Sequence, residues 1–238
     1  MRAKLGAMVM WMGLSGLAGA QPVEWIDTHF HFTMDDAAST PELLAKARSI
    51  MQAENMRTMV VSSQPRPNLA GADFLVVQQM LSADRKSFAV MAGGNSLNPF
   101  MHQLYEGKIP AEKIAAFRAL AERSAQAGVK GFGEIALHHI SLNDLHAYEL
   151  IPADDDLVKV LVDVAARYDL VMDVHFDPVL ERMARPAALT SPNNPGEFEP
   201  NFEPFERLLA YNRNVKIIWA HAGLSLIHIS EPTRLGMI

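Results

Sequence analysis

The chain has 238 residues, 49% of them hydrophobic and 20% charged, with a formal net charge of -6 and no cysteine. Apolar content of that order builds a large core and excludes a disordered chain, and a mildly acidic balance argues against nucleic acid, which calls for a basic stripe. The absence of cysteine excludes disulfides, thiolate catalysis and cysteine-ligated metal.

In chain order, residues 1–20 begin with Arg2 and Lys4, continue through an apolar run from Leu5 to Leu17 and close on Ala18-Gly19-Ala20. That three-part pattern predicts a secretory signal peptide cleaved after Ala20, and hence a periplasmic or secreted protein. The run is shorter than the roughly 20 residues that span a bilayer, and no later segment supplies a span, so no membrane association is expected after cleavage. Val23 to Phe32 reads as a strand, and Thr40-Pro41 opens a helix to about Asn55 at favoured cap and first-turn positions. Met56 to Ser62 is a second strand, Ala72 to Ala83 has apolar residues at helical spacing, and Ser87 to Ala92 is a third strand. Pro110 to Ala127 is an amphipathic helix closed by Gly128. There follow strand four (Val129 to Leu137), helix Asp156 to Tyr168, strand five (Leu170 to Phe176), helix Pro204 to Asn212 and strand six (Val215 to Ala220). Leu224 to Arg234, LSLIHISEPTR, resembles the translation of a transposon-derived sequencing adapter, so residues 224–238 are expected to be an artefact and His228 receives no role. Composition alone also allows LSLIHI to be another β-prone segment.

Gln21 to Gly223 shows no repeat or linker and reads as one domain. Strict strand-helix alternation predicts a parallel sheet with right-handed crossovers, an α/β fold. No glycine-rich phosphate turn follows strand one, where a dinucleotide fold would place it; DTHFHF stands there instead. The expectation is a (β/α)8 TIM-type barrel, incomplete, with about six of eight strand-helix units, as a truncated gene would leave it.

The chemistry-bearing residues fall where these strands run out. His29 and His31 alternate on strand one, with Asp27 one step deeper; His175 follows Asp173 in LVMDVHF; His221 ends VKIIWAH. Imidazole nitrogen and carboxylate oxygen are donors for a borderline divalent metal. Singly, each motif also fits a half-buried strand or a satisfied core histidine. Together they lie on the C-terminal rim, where barrel enzymes build their sites. Asp27 and Asp173 are expected to support ligands rather than ligate. On strand four, Glu134 is favoured over Lys130, which lies deeper and needs carboxylation to bridge metals. His138 and His139 are placed in the following loop, either facing substrate or solvated, and His102 and His146 on the surface. The segments Gly93 to Ile109 and Pro178 to Glu203 read as long loops, the second either a lid or a disordered excursion, with Asn95, Asn98, Arg182 and Arg185 as candidate substrate contacts.

This set of residues resembles the amidohydrolase superfamily of metal-dependent hydrolases, particularly its TatD-like branches with a GEI-type fourth strand and its amidohydrolase-2 branch. The resemblance covers essentially all of Gln21 to Gly223. His29 and His31 match the strand-one H-x-H, Glu134 the strand-four carboxylate, and His175 and His221 the histidines ending strands five and six. It implies one or two divalent ions, zinc first, held by His29, His31, Glu134, His175 and His221, with Glu134 and His221 catalytic. In the two-metal form His29 and His31 hold one ion, His175 and His221 the other, and Glu134 bridges; in the one-metal form Glu134 and His221 orient water and leaving group. The family's strand-eight aspartate, the usual proton acceptor, has no counterpart in this chain; Asp144 and Asp154 to Asp156 lie near the fourth strand-helix connection. The implied function is hydrolysis of a small amide, lactone or ester. The alternatives are a metal-dependent decarboxylase of the amidohydrolase-2 branch and a non-catalytic metal-binding relative. The expected partner is a small-molecule substrate and no nucleic acid.

Overall fold

The structure, a computed structural model, describes residues 23–31, 40–65, 81, 84–145 and 147–222. The segments expected as a signal peptide (1–20) and as an adapter artefact (224–238), most of the helix expected at 72–83, and His146 and His228 lie outside them. The elements are β1 (Trp25–His31), α1 (Thr40–Ala53), β2 (Met56–Ser62), β3 (Phe88–Gly93), α2 (Leu97–Tyr105) and a short 3-10 turn (Ala111–Lys113). After them come α3 (Ile114–Gln126), β4 (Gly131–His139), β5 (Glu149–Leu150), α4 (Asp156–Tyr168), β6 (Val171–Phe176), β7 (Met183–Ala184), β8 (Glu197–Phe198), α5 (Phe202–Tyr211) and β9 (Lys216–Ala220).

The helices form because their apolar positions recur on one face. In α4, Val158, Leu161 and Ala165 are buried, and the Asp155 side chain caps the first turn by accepting from Leu157 N–H at 2.9 Å. Asp169, left-handed at φ 53°, ends it. In α3, Phe117, Ala121 and Ala125 form the buried stripe, and small residues at the latter two positions let α3 and α4 pack side by side. A fully buried side chain such as Phe117 contributes about 1.5–3 kcal/mol relative to an exposed one.

Two expectations change here. Gly93 to Ile109, read as a loop, contains α2. Leu97, Met101 and Leu104 are its buried face; Pro99 masks the pattern in the sequence but sits in the first turn, where no intrahelical donor is required of it. Strand four runs on to His139, so His138 and His139 lie on β4 rather than in the loop after it.

The main sheet has the order β1-β2-β3-β4-β6-β9, with β5 attached to β4. Every pairing along that path is parallel, while β5 runs antiparallel to β4. Neighbours in the sheet are successive major strands in the chain. With right-handed crossovers, this sequential order keeps all connections on one face, whereas a doubly wound sheet reverses direction at a switch point.

The opposite face is concave. β1 and β6 are four strand intervals apart, about 19 Å in a flat sheet at ~4.8 Å per interval. Yet His29 Nδ1 lies 2.8 Å from Asp173 Oδ2. Two side chains cannot close such a gap across a plane, so the sheet curls, as the first six strands of a (β/α)8 barrel do. One apolar core, including Phe117, Phe132, Met172, Val158 and Phe205, fills the space between the sheet and the helices. A second, smaller core of Ile140, Val179, Leu189 and Phe198 lies beyond the C-terminal ends of β4 and β6.

Candidate metal centre

Four strand ends bring their polar residues together on the concave side. β1 carries one extra residue between Asp27 and Phe30 relative to β2, a bulge of the kind that re-aims side chains at a sheet rim. Glu134 lies in a matching irregularity of β4 between Phe132 and Ile135. His221 follows β9 at φ 57°, a left-handed conformation that histidine tolerates better than most residues.

Glu134 is at the centre. Its Oε2 lies 2.9 Å from His31 Nε2 and 3.8 Å from His29 Nε2. Its Oε1 lies 2.7 Å from His175 Nδ1 and 3.5 Å from His221 Nε2. His29 and His31 present their Nε2 atoms to each other at 3.1 Å. One ligand atom from each of His29, His31, Glu134 and His221 falls within 4.8 Å of all the others. Ligand atoms about 2.0–2.1 Å from a tetrahedral zinc stand roughly 3.3 Å apart, close to most of these separations, so the four donors fit a divalent ion.

The other ring nitrogens agree with that fit. His29 Nδ1 is taken by Asp173, which leaves Nε2 directed into the group; His31 Nδ1 lies 3.4 Å from Ser62 Oγ. A carboxylate on the far nitrogen is the usual means of fixing a ligand imidazole's tautomer and plane. Asp27 does something different: its Oδ1 accepts from the backbone N–H of His29 at 3.0 Å and so holds the bulge. His175 stands beside the group of four with both nitrogens on carboxylates, Nδ1 on Glu134 and Nε2 3.3 Å from Asp177 Oδ2.

Burial pushes the Glu134 carboxyl up, but the hydrogen bonds and charges of His175 and His31 outweigh it and hold the group well below the usual carboxylate range. Burial would lower His175; its bonds to Asp177 and Glu134 instead raise it to about 10. His29 is likewise raised, Asp173 and Glu134 overcoming burial. His221 is lowered by burial, with the neighbouring histidines opposing the pull of Glu134. The carboxylates thus favour the protonated forms of His29 and His175, with which a metal bound by these residues would have to compete.

Of the other candidates, Lys130 is exposed at the base of β4 and takes no part in the group. Asn98 and His102, expected as a substrate contact and a surface residue, are buried in the interior between α2 and β4. Arg185 holds the backbone carbonyls of Ser191 and Asn194, Arg182 pairs with Glu197 and Glu199 at the surface, and the Asn95 backbone N–H donates to Ser63 Oγ. Sequence reasoning missed Asp177, although the alternation Asp173-x-His175-x-Asp177 carried the signal. Asp177 is buried, and its Oδ2 also accepts from Ile140 N–H at 2.8 Å. His138 is buried beside it, against the Asp177 carbonyl, Asn201 and the Tyr148 hydroxyl; burial lowers its pKa and raises that of Tyr148 to about 12.

Beside the His29, His31, Glu134 and His221 group, and next to His175 and Asp177, stands a packed wall. Residues 178–203, read as a lid or an excursion, carry the β7-β8 hairpin and the second core, against which Tyr148 and Met183 also pack. Asn194 bridges both backbone groups of Ser141, Ser141 Oγ meets Ser191 Oγ at 2.6 Å, and Asn201 bonds both Val179 N–H and the Asp177 carbonyl. The loop after β4 and the loop after β6 are thus joined by side-chain bonds to backbone, which satisfies polar groups that would otherwise be buried without partners.

No protein-family model matches the chain, and no curated protein does. Among solved structures it is similar to 2,6-dihydroxybenzoate decarboxylase from Rhizobium, at 14% identity and a TM-score of 0.47, over 86% of this chain and 67% of that one. It is also similar to dihydroxybenzoic acid decarboxylase from Polaromonas sp. JS666, a structure with bound manganese and the inhibitor 2-nitroresorcinol, at 16% identity and a TM-score of 0.46, over 84% of this chain and 65% of that one. A Staphylococcus aureus protein provisionally named an amidohydrolase matches at 15% identity and a TM-score of 0.42, over 66% of this chain and 48% of that one. The chain thus spans between about half and two thirds of the length of the proteins it is similar to.

Proposed function

We propose that the chain belongs to a metal-dependent hydrolase of the amidohydrolase superfamily, exported from the cytoplasm and acting on a small amide, lactone or ester. The observation that carries this reading is the group of His29, His31, Glu134 and His221, brought within 4.8 Å of one another from three distant parts of the chain. Elements this far apart converge on an interior carboxylate only where the arrangement has a use, because an uncompensated buried charge is costly. The N-terminal pattern of residues 1–20 supports export, and the acidic balance supports a small-molecule substrate rather than nucleic acid.

When bound, a divalent ion, zinc first, supplies a Lewis acid that brings the pKa of water down toward about 7 and polarises the scissile group. His29, His31, Glu134 and His221 would hold it, with His175 within reach of the Glu134 oxygen that faces His221. Asp173 keeps the His29 ring in the orientation that leaves Nε2 for the site. Glu134 stays ionised, and His175 holds a proton between Glu134 and Asp177.

The place of His175 between two carboxylates, Glu134 and Asp177, which favours its protonated form, supports a second reading, decarboxylation, in which His175 would protonate the carbon that loses carbon dioxide. The test is direct. The purified chain is loaded with zinc or manganese, its metal content is measured, and it is offered ester, lactone, amide and hydroxybenzoate substrates with acid release and carbon dioxide as separate readouts. Bound metal with acid release from an ester, lactone or amide supports the hydrolase. Carbon dioxide alone supports the decarboxylase, and failure to retain any divalent metal refutes both.

A further inference from the structure

Where β3 stops, β4 does not. Their pairing ends at Gly93 opposite Gly133, and Gly93, at φ 126°, turns the chain away from the sheet toward α2. β4 continues to His139 with no β3 residue beside it. In a parallel ladder one residue presents both its N–H and its C=O to the same neighbouring strand. For Ala136 that neighbour is missing, and its place is taken by two side chains of α2. Asn98 Oδ1 accepts from Ala136 N–H at 2.9 Å, and His102 Nε2–H donates to the Ala136 carbonyl at 2.7 Å. Asn98 and His102 are four apart on the helix and so share one face.

The arrangement is closed from behind. Asn98 Nδ2 donates to Glu149 Oε1 at 3.0 Å, and the same oxygen lies 3.7 Å from His102 Nε2. Glu149 belongs to β5, which pairs with β4 at His138 and His139. Asn98, His102 and Glu149 are all buried, where polar side chains persist only when their bonds are made. Ala136 lies two residues beyond Glu134 and directly opposite His175 in the β4-β6 pairing.

We infer that Asn98 and His102 act as a surrogate strand that holds the stretch of β4 between the end of β3 and the start of the β5 pairing, and through Ala136 position Glu134 against His175. They touch none of the metal-ligand group themselves; they are positioning residues. The part of the inference that concerns metal geometry rests on the proposed metal site, while the part that concerns β4 stands on these contacts alone.

The experiment compares the full chain with His102→Leu, which keeps volume and loses the donor, and His102→Gln, which keeps a donor at similar reach. Two readouts are taken: amide hydrogen exchange of residues 131–139 against the rest of the chain, and the visible absorption spectrum of the protein titrated with cobalt(II). His102→Leu is expected to speed exchange roughly tenfold or more, confined to the end of β4, and to change the cobalt bands. His102→Gln is expected to restore both. The inference is overturned if His102→Leu leaves exchange at 131–139 unchanged, if it raises exchange equally throughout the chain or fails to fold, or if His102→Gln behaves like His102→Leu. A wild-type chain that takes up no cobalt refutes the metal site, and the exchange readout then still decides whether α2 holds β4.

Discussion

Removing the charge of Asp173 should weaken metal binding at a site Asp173 does not itself belong to. The carboxylate is fully buried, with Oδ2 2.8 Å from His29 Nδ1 and Oδ1 without a hydrogen-bond partner among the described residues. In Asp173→Asn the amide oxygen still accepts from Nδ1–H, so the ring keeps its orientation, but the bond is no longer charge-assisted. Charged hydrogen bonds contribute about 1.5–3 kcal/mol and neutral ones about 0.5–1.5, so roughly 1–1.5 kcal/mol is lost, about tenfold in affinity. Asp173→Ala removes the acceptor altogether, leaves the ring free to rotate and opens a cavity. It should reach the upper end of the range for such supporting residues, about 100-fold. The assay is competition with a chromophoric chelator at fixed pH, with thermal melting of the metal-free proteins as the control for folding. Asp27→Asn serves as the comparison, since among the described residues Asp27 bonds only the His29 backbone, and it should cost less than about threefold. If Asp173→Asn and Asp173→Ala both bind as tightly as wild type, or if Asp27→Asn weakens binding as much as Asp173→Ala, His29 is not held for a metal in the way described.

Further expectations follow from the same geometry. In Gly133→Ala the new Cβ would stand 2.6 Å from Asp173 Cβ; an overpacking cost of about 1–3 kcal/mol should lower the melting temperature and metal affinity together, and a variant that melts with wild type contradicts the close approach. Zinc at about 100 times its Kd should stabilise the fold by ~2.7 kcal/mol, an increase in Tm of about 5–10 °C that a chelator reverses; no shift at saturating zinc refutes binding to the folded state. The His175 value, raised from 6.5 to about 10, means that its protonated form stabilises the metal-free chain fully below pH 6.5 and that this contribution is lost as pH rises through 10. Metal-free wild type should therefore lose more stability between pH 7 and pH 10 than His175→Asn, as read by denaturant melts at each pH; equal losses would show that His175 is not held protonated. Glu134, lowered by its histidine partners, has the opposite sign: its contribution is present above pH 4.5 and falls away in acid.

Much of this molecule is written in local pattern. The bounds of β2 and α4 can be read directly, because Met56 to Ser62 is a compact β-prone run between a helix and a loop, and Asp155 caps a helix whose apolar stripe repeats without interruption. The convergence of His29, His31, Glu134 and His221 is foreshadowed by their common place at strand ends, since in parallel strand-helix units every strand delivers its last residues to the same rim. Helix α2 was hidden by Pro99, which reads as a breaker until its first-turn position is known.

What local pattern does not contain is which residue faces which across the sheet. Asp27 and Asp173 look equivalent in the sequence, each two residues before a histidine. The bulge in β1 gives Asp27 to the backbone, while the curl of the sheet carries Asp173 across four strand intervals to the ring of His29. His102 gives no local sign of being buried, and only the point at which β3 ends makes its donor necessary to Ala136. Periodicity follows from the geometry of one strand or one helix, and a sequence carries it in full. Pairing across the fold depends on curvature, bulges and where neighbouring strands stop, all of which are settled only when distant segments pack.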